Sequence, residues 1–270
     1  MKTNISTDKF SATRFMMLAK REITSRKKLL IMQMAVIAGL ILLSEVCISW
    51  LGYPSVEDCI NNQNYEYISS RYTSDSVVGI ICGAGIIGLS FLSCIAGSLV
   101  CSGLSSRRGR IDNFMTVGSP LEKYLVNLLL HTVVFTVYFF AVWLIIDFGR
   151  CVYIDMLYPF KGERFISYLF SVTPGEAILS AVSSYLFTQA FFVLISAFSP
   201  KWAFLKGFAL WYGISFLLVP ITMLLFALTA SDLAYTDSFY SITTACALAL
   251  CFTAAMHWLA YYRYKETDII

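Results

Sequence analysis

A chain of 270 residues that is 58% hydrophobic and only 14% charged, with a mean hydropathy of +0.70, lies outside the balance of a soluble globular domain. Apolar windows of the roughly 20 residues needed to cross a hydrocarbon core of about 30 Å recur along nearly the whole length, which excludes a sizeable soluble domain. The net charge of +3 gives no reason to invoke nucleic acid, because membrane topology accounts for where the basic residues fall.

In chain order, residues 1–28 form a basic segment carrying Lys2, Lys9, Arg14, Lys20, Arg21, Arg26, Lys27 and Lys28. Ala12, Phe15, Met16, Ala19 and Ile23 share one helical face with Arg14 and Arg21 opposite, the pattern of an amphipathic helix in the cytoplasmic interface. A plain basic tail that only sets topology is the alternative. The apolar run that follows is longer than a signal-peptide core and lacks a small-residue cleavage site, so it reads as a retained span. Spans are expected at 29–51, 77–101, 121–146, 175–198, 204–229 and 241–262. The fold class is all-α, a polytopic membrane protein of about six spans, with 29–262 as the transmembrane domain and 263–270 as a short cytoplasmic tail.

The second span carries a strip of small residues, Gly79, Gly83, Gly85, Gly88, Ser93 and Gly97, including a Gly79-x-x-x-Gly83 spacing. Small side chains let helix backbones approach closely in lipid, either at a subunit interface or in ordinary intrachain packing. Two span starts read as capping boxes: Ser119-Pro120-Leu121-Glu122 and Thr173-Pro174-Gly175-Glu176 each offer a hydroxyl cap, a proline at the first helical position and a glutamate at the third. Asn127, His131 and Gln189 are the polar groups at depth, and Pro220 is placed to kink the fifth span. Glu45 and Asp147 fall near the outer ends of spans one and three, where they reach interfacial water without forming a buried pair. The remaining histidine, His257, lies near the inner end of span six, and neither histidine belongs to a metal-ligand motif such as His-Glu-x-x-His.

Six of the eight cysteines fall in or beside spans, where a thiol packs as a small apolar group, and no CxxC pair points to a metal. Cys59 and Cys151 fall in expected external loops, where an oxidising compartment permits a bridge. Sixteen of the twenty basic residues lie in alternate connecting segments, which puts both ends in the cytoplasm and requires an even number of spans. The chain has no Gly-x-x-x-x-Gly-Lys followed by Ser or Thr, so a Walker-type phosphate cradle would have to come from another chain. No ionisable residue sits at the centres of spans two, four, five or six, which disfavours coupling to an ion gradient.

One cytoplasmic segment carries more than topology. It runs Arg107-Arg108-Gly109-Arg110, then Phe114-Met115, a Val117-Gly118-Ser119-Pro120 turn, and Glu122-Lys123-Tyr124. It resembles the loop between the second and third spans of a group of bacterial ATP-binding-cassette permease subunits. That group shows arginines, Phe-Leu or Phe-Met, a small-residue and proline turn, and Glu-Lys before an aromatic. In place of the common Pro-Ala-Ser turn this chain has Val117-Gly118-Ser119 and is one residue shorter. The resemblance implies an exporter-type permease of the cell (inner) membrane that pairs with a second permease and with separate ATPase subunits, which hold the ATP and Mg. It further implies that Arg107, Arg108, Arg110 and Phe114 lie near the ATPase, with Glu122 and Lys123 opening the next helix. Read from the residues alone, the same arginines can face anionic lipid. The competing classes are a membrane enzyme acting on lipid and a scaffold or anchoring subunit.

Overall fold

A computed structural model describes residues 10–52, 74–157, 175–229 and 238–269, with isolated positions between 164 and 169. The elements are α1 (Ala12–Gly52), α2 (Ser74–Leu99), a 3-10 turn (Ser102–Ser105), α3 (Arg107–Met115), α4 (Pro120–Leu128), a π turn (Leu129–Val134), α5 (Phe135–Leu157), α6 (Gly175–Phe198), α7 (Ala203–Thr229) and α8 (Ser238–Ile269). No strand occurs among the described residues. Five stretches are long and apolar enough to cross a membrane, at Ala12–Gly52, Val77–Leu99, Pro120–Leu157, Ile178–Phe198 and Thr243–Thr267. A shorter apolar helix at Ala203–Leu217 joins them, and the chain is a polytopic all-α membrane protein.

Three boundaries differ from the sequence expectation. The basic segment is helical, but its helix runs without a break into the first span, so α1 has 41 residues and a length of about 60 Å, twice the hydrocarbon core. It is therefore longer than one perpendicular crossing requires. The third span runs on to Leu157 through the π turn, so Cys151 is a buried helical residue rather than part of a loop. The expected tail at 263–270 is helical to Ile269, because Tyr264 is core and Arg263 pairs with Glu266 one turn on. Helix α7 continues through Pro220, and Thr173 and Pro174 lie outside the described residues.

The chain forms two compact units. The first comprises the described residues of Met1–Thr24, Leu92–Val134 and Glu176–Ile270. Its core is built from Val100, Cys101, Leu104, Tyr124, Val193, Ala197, Ala260 and Tyr264. Gly97 lets α2 meet α6 closely, since a Cβ there would stand 2.8 Å from the Gln189 carbonyl oxygen and 2.9 Å from Phe192 Cβ. Phe192 in turn packs on Phe204 and over Gly207 of α7, and Trp211 packs on Phe187 and Phe191.

The second unit comprises the described residues of Ser25–Phe91 and Phe135–Gly175. Here α2 presents Gly85 beneath the Trp143 indole and Gly88 against Phe139, and the Tyr138 hydroxyl donates to the Met34 carbonyl of α1. The small-residue strip thus serves intrachain packing at Gly85, Gly88 and Gly97. Gly83 has open space where a Cβ would stand.

This division yields a contrast. A Cβ at position 85 would lie 2.1 Å from the ring of Trp143, itself buried, so Gly85→Ala is expected to destabilise by about 1–3 kcal/mol. Gly83→Ala meets nothing and is expected to be neutral or to stabilise by up to about 1 kcal/mol. Thermal unfolding of the two variants in one detergent checks the pair, and equal shifts would contradict the packing described.

Candidate functional site

The first unit holds a short helix on a rigid mount. Helix α3 begins at Ser106, whose Oγ accepts from the Gly109 backbone N–H at 3.0 Å. Gly109 is obligatory there, because a Cβ would sit 2.0 Å from the Gly103 carbonyl oxygen of the preceding 3-10 turn. The helix ends at Thr116, whose N–H donates to the carbonyls of Asp112 and Asn113.

The inward side of α3 is tied to three elements. The Asn113 side-chain oxygen accepts from the Tyr264 hydroxyl of α8 at 3.1 Å, and its carbonyl accepts from Lys123 Nζ at 2.8 Å. Arg21 of α1 donates to Thr116 Oγ1 at 2.7 Å. Next to it, the capping box foreseen at Ser119 and Glu122 is present, with Ser119 N–H donating to Glu122 Oε2 at 3.0 Å and Glu122 N–H donating to Ser119 Oγ at 3.3 Å. The remaining Glu122 oxygen accepts from the Ser11 N–H at 2.7 Å and from Arg14 Nη2 at 3.1 Å. One fully buried carboxylate therefore closes the start of α4 and holds the head of α1. Leu18 lies over Gly118, and Phe15 and Ala19 are half-buried like Arg14 and Leu18, while Arg21 is exposed and reaches Thr116 by its one bond given above. Met16 and Ile23, on the apolar face singled out in the sequence, are exposed. Tyr124 packs at a tilt against Tyr261 and Tyr264 with centroids 5.7 and 5.6 Å away, and its hydroxyl meets His257 Nδ1 at 3.3 Å.

What remains outward on α3 is distinctive. Arg107, Arg108 and Arg110 are exposed, and beside them Phe114, Met115 and Val117 are 65, 73 and 77% exposed, with Ile111 also open. Glu122 and Lys123, grouped with the arginines in the sequence, are buried and committed to internal bonds. The outward set is therefore three guanidinium groups and three apolar side chains on one short, anchored helix, with Val117 exposed just past its end. Such a surface can bind an acidic, partly apolar groove of another molecule.

The second unit holds a buried ionic group that the sequence reading placed in interfacial water. Glu45, Asp147 and Arg150 are each no more than 7% exposed. Arg150 lies one turn beyond Asp147 and donates to its Oδ1 from Nε at 3.0 Å and from Nη2 at 2.5 Å. The same Nε is 3.7 Å from Glu45 Oε2 of α1, and Nη2 is 3.6 Å from Cys151 Sγ. The i, i+3 spacing of Asp147 and Arg150 was the signal available for the pair. Placing the span end at 146 hid it by assigning both residues to the water side.

The other sequence candidates fall as follows. Asn127 is half-buried in α4, and its Oδ1 has no hydrogen-bond partner among the described residues. His131 is buried within the π turn, where Thr132 donates its hydroxyl to the Leu128 carbonyl. Such turns recur at functional positions of helices. Gln189 is buried in α6 opposite Gly97. Cys151 is buried in α5 beside the Arg150 guanidinium, and Cys59 lies outside the described residues. Gly79 sits in α2, partly covered. Comparison of the chain with protein-family models, with curated proteins and with solved structures finds no match.

Proposed function

We propose that this chain is the membrane-spanning permease subunit of an ATP-binding-cassette transporter of exporter type, set in the cell (inner) membrane with both ends in the cytoplasm. A second permease and separate ATPase chains complete it, and the ATPase supplies the site for ATP and Mg. The observation that carries the reading is α3: an exposed basic and apolar surface on a nine-residue helix whose inward side is bonded to α1, α4 and α8. A surface meant only for solvent would not leave Phe114, Met115 and Val117 open beside three arginines.

The chemistry of such a subunit is mechanical. An ATPase that closes on nucleotide would press on the outward side of α3. The bonds from Asn113 to Tyr264 and Lys123, and from Thr116 to Arg21, would pass that displacement to α8, α4 and α1 rather than let α3 slide. Coupling then requires that these contacts differ between two states of the assembly.

The test is gentle detergent purification followed by identification of bound chains. Wild type is expected to bring down a stoichiometric ATPase. The Arg107→Glu/Arg108→Glu double variant is expected to lose roughly tenfold of that recovery, about 1.4 kcal/mol of interaction, while still inserting in the membrane. Undiminished ATPase recovery from the double variant would overturn the docking role of α3.

A further inference from the structure

The short link from α6 to α7 puts a large ring in a strained, outward position. It runs Ser199-Pro200-Lys201-Trp202, with the Ser199 N–H donating to the Ile195 carbonyl at 2.8 Å and the Lys206 N–H donating to the Trp202 carbonyl at 3.0 Å. Trp202 has a φ of 60°, and among the described residues it alone has a positive φ. Glycine takes that conformation freely, whereas a bulky side chain is strained in it. Burial does not offset the strain, since Trp202 is 74% exposed. Beside it Lys201 and Lys206 are exposed, and they are the only charged residues between Glu176 and Asp232. Arg263, over the Phe198 ring at 5.7 Å, is paired with Glu266 and adds no net charge. Helix α7 is pinned to α6 on one side, through Phe204 on Phe192, Gly207 under the same ring and Trp211 on Phe191. At about 100° per residue the opposite side carries Leu205, Lys206, Ala209, Gly213, Phe216 and Leu217, all exposed. Gly213 has open space where a Cβ would stand, so Ala209 and Gly213 form a shallow trough edged by Leu205 and Phe216 and by Leu210 and Leu217.

We infer that this turn and the trough along α7 bind one anionic phospholipid, with its phosphate on Lys201 and Lys206, its glycerol region against Trp202 and an acyl chain along Ala209 and Gly213. The charges decide the headgroup, because two ammonium groups in a stretch of sequence without acids favour a net negative phosphate over a zwitterion. The ring decides the depth, because an indole is an apolar body with one N–H donor and settles between water and hydrocarbon. The trough decides for a lipid over a soluble partner, since it lies on the apolar helix Ala203–Leu217 of the membrane domain. Only the chain's crossing of a bilayer is required, not the transporter reading.

The experiment is native mass spectrometry of the full chain released from mild detergent, after titration with dioleoyl phosphatidylglycerol or dioleoyl phosphatidylcholine at equal concentration. Wild type is expected to retain one phosphatidylglycerol about tenfold more tightly than phosphatidylcholine. Lys201→Gln/Lys206→Gln is expected to lose that preference while its Tm stays within about 2 °C of wild type, because both side chains are exposed. Lys201→Arg/Lys206→Arg, which keeps both charges, should keep the preference. Trp202→Gly is expected to weaken phosphatidylglycerol binding about threefold and yet to match or exceed the wild-type Tm, since glycine relieves the positive φ. The inference is overturned if wild type shows no preference, if the glutamine variant keeps it or the arginine variant loses it, or if Trp202→Gly binds the lipid as wild type does. Displacement of the lipid by inorganic phosphate at the same concentration would also overturn it, since the site would then be one for a free anion.

Discussion

Asp147→Ala is expected to lower the free energy of unfolding by about 3–5 kcal/mol, the largest effect of any single substitution argued from this structure. The cost arises from what is left behind. Arg150 is buried, cannot lose its proton, and directs both Nε and Nη2 at the Asp147 oxygen. Removing the carboxylate leaves a buried guanidinium whose other acidic neighbour among the described ion pairs is Glu45 at 3.7 Å. Replacing the arginine as well should remove most of the penalty, because an apolar pair of similar volume is often as stable as a buried ion pair. Asp147→Ala/Arg150→Met is therefore expected to regain at least half of the loss, and a double-mutant cycle in detergent measures it. If Asp147→Ala alone is harmless, Arg150 has transferred to Glu45. In that event Glu45→Gln/Asp147→Ala should show the deficit that the single variant hides.

The second large effect is expected at Glu122. Its carboxylate accepts from Ser119 N–H, Ser11 N–H and Arg14, and it has no exposure to water. Glu122→Ala removes a capping partner and orphans two amides, a loss of about 2–3 kcal/mol. Arg14→Ala should cost far less, about 0.5–1 kcal/mol, because that side chain is 29% exposed and can turn to solvent. The two variants differ in a second readout. Glu122→Ala releases the head of α1 from the segment at 116–122, so limited trypsin digestion should cut at Lys20 and Arg21 faster than in wild type. An unchanged digestion rate would mean that Leu18 over Gly118 and the Arg21–Thr116 bond hold the helix without Glu122.

The contrast between these two sites shows what a sequence can and cannot disclose. The spans were legible because each is a long apolar run whose meaning does not depend on its neighbours. The Ser119–Glu122 box was legible for the same reason: donor and acceptor are three residues apart. The second role of Glu122 was not, since Ser11 lies 111 residues away in the chain and no local pattern announces the meeting. Arg14 and Arg21 look like a solvent face because they are charged, yet Arg14 reaches the Glu122 carboxylate and Arg21 the Thr116 hydroxyl. Hydropathy misled at Asp147 for a related reason, because a charge ends an apolar window whether or not it ends the helix. Arg107, Arg108, Arg110 and Phe114 were identified from a motif, but that they stand on a capped helix depends on Gly109 fitting against Gly103, a contact that composition does not reveal.

The last residues of the chain have a practical bearing on any study of this protein. By hydropathy alone, Arg263 onward invites trimming as dispensable overhang, but Tyr264 is a fully buried ring that packs on Tyr124 and holds Asn113 through its hydroxyl. A shortened clone would lose a keystone, and its failure would be mistaken for a defect in membrane insertion. Because α8 keeps its helical winding to Ile269, a domain joined directly to it would ride on a stiff stalk unless a flexible spacer intervenes.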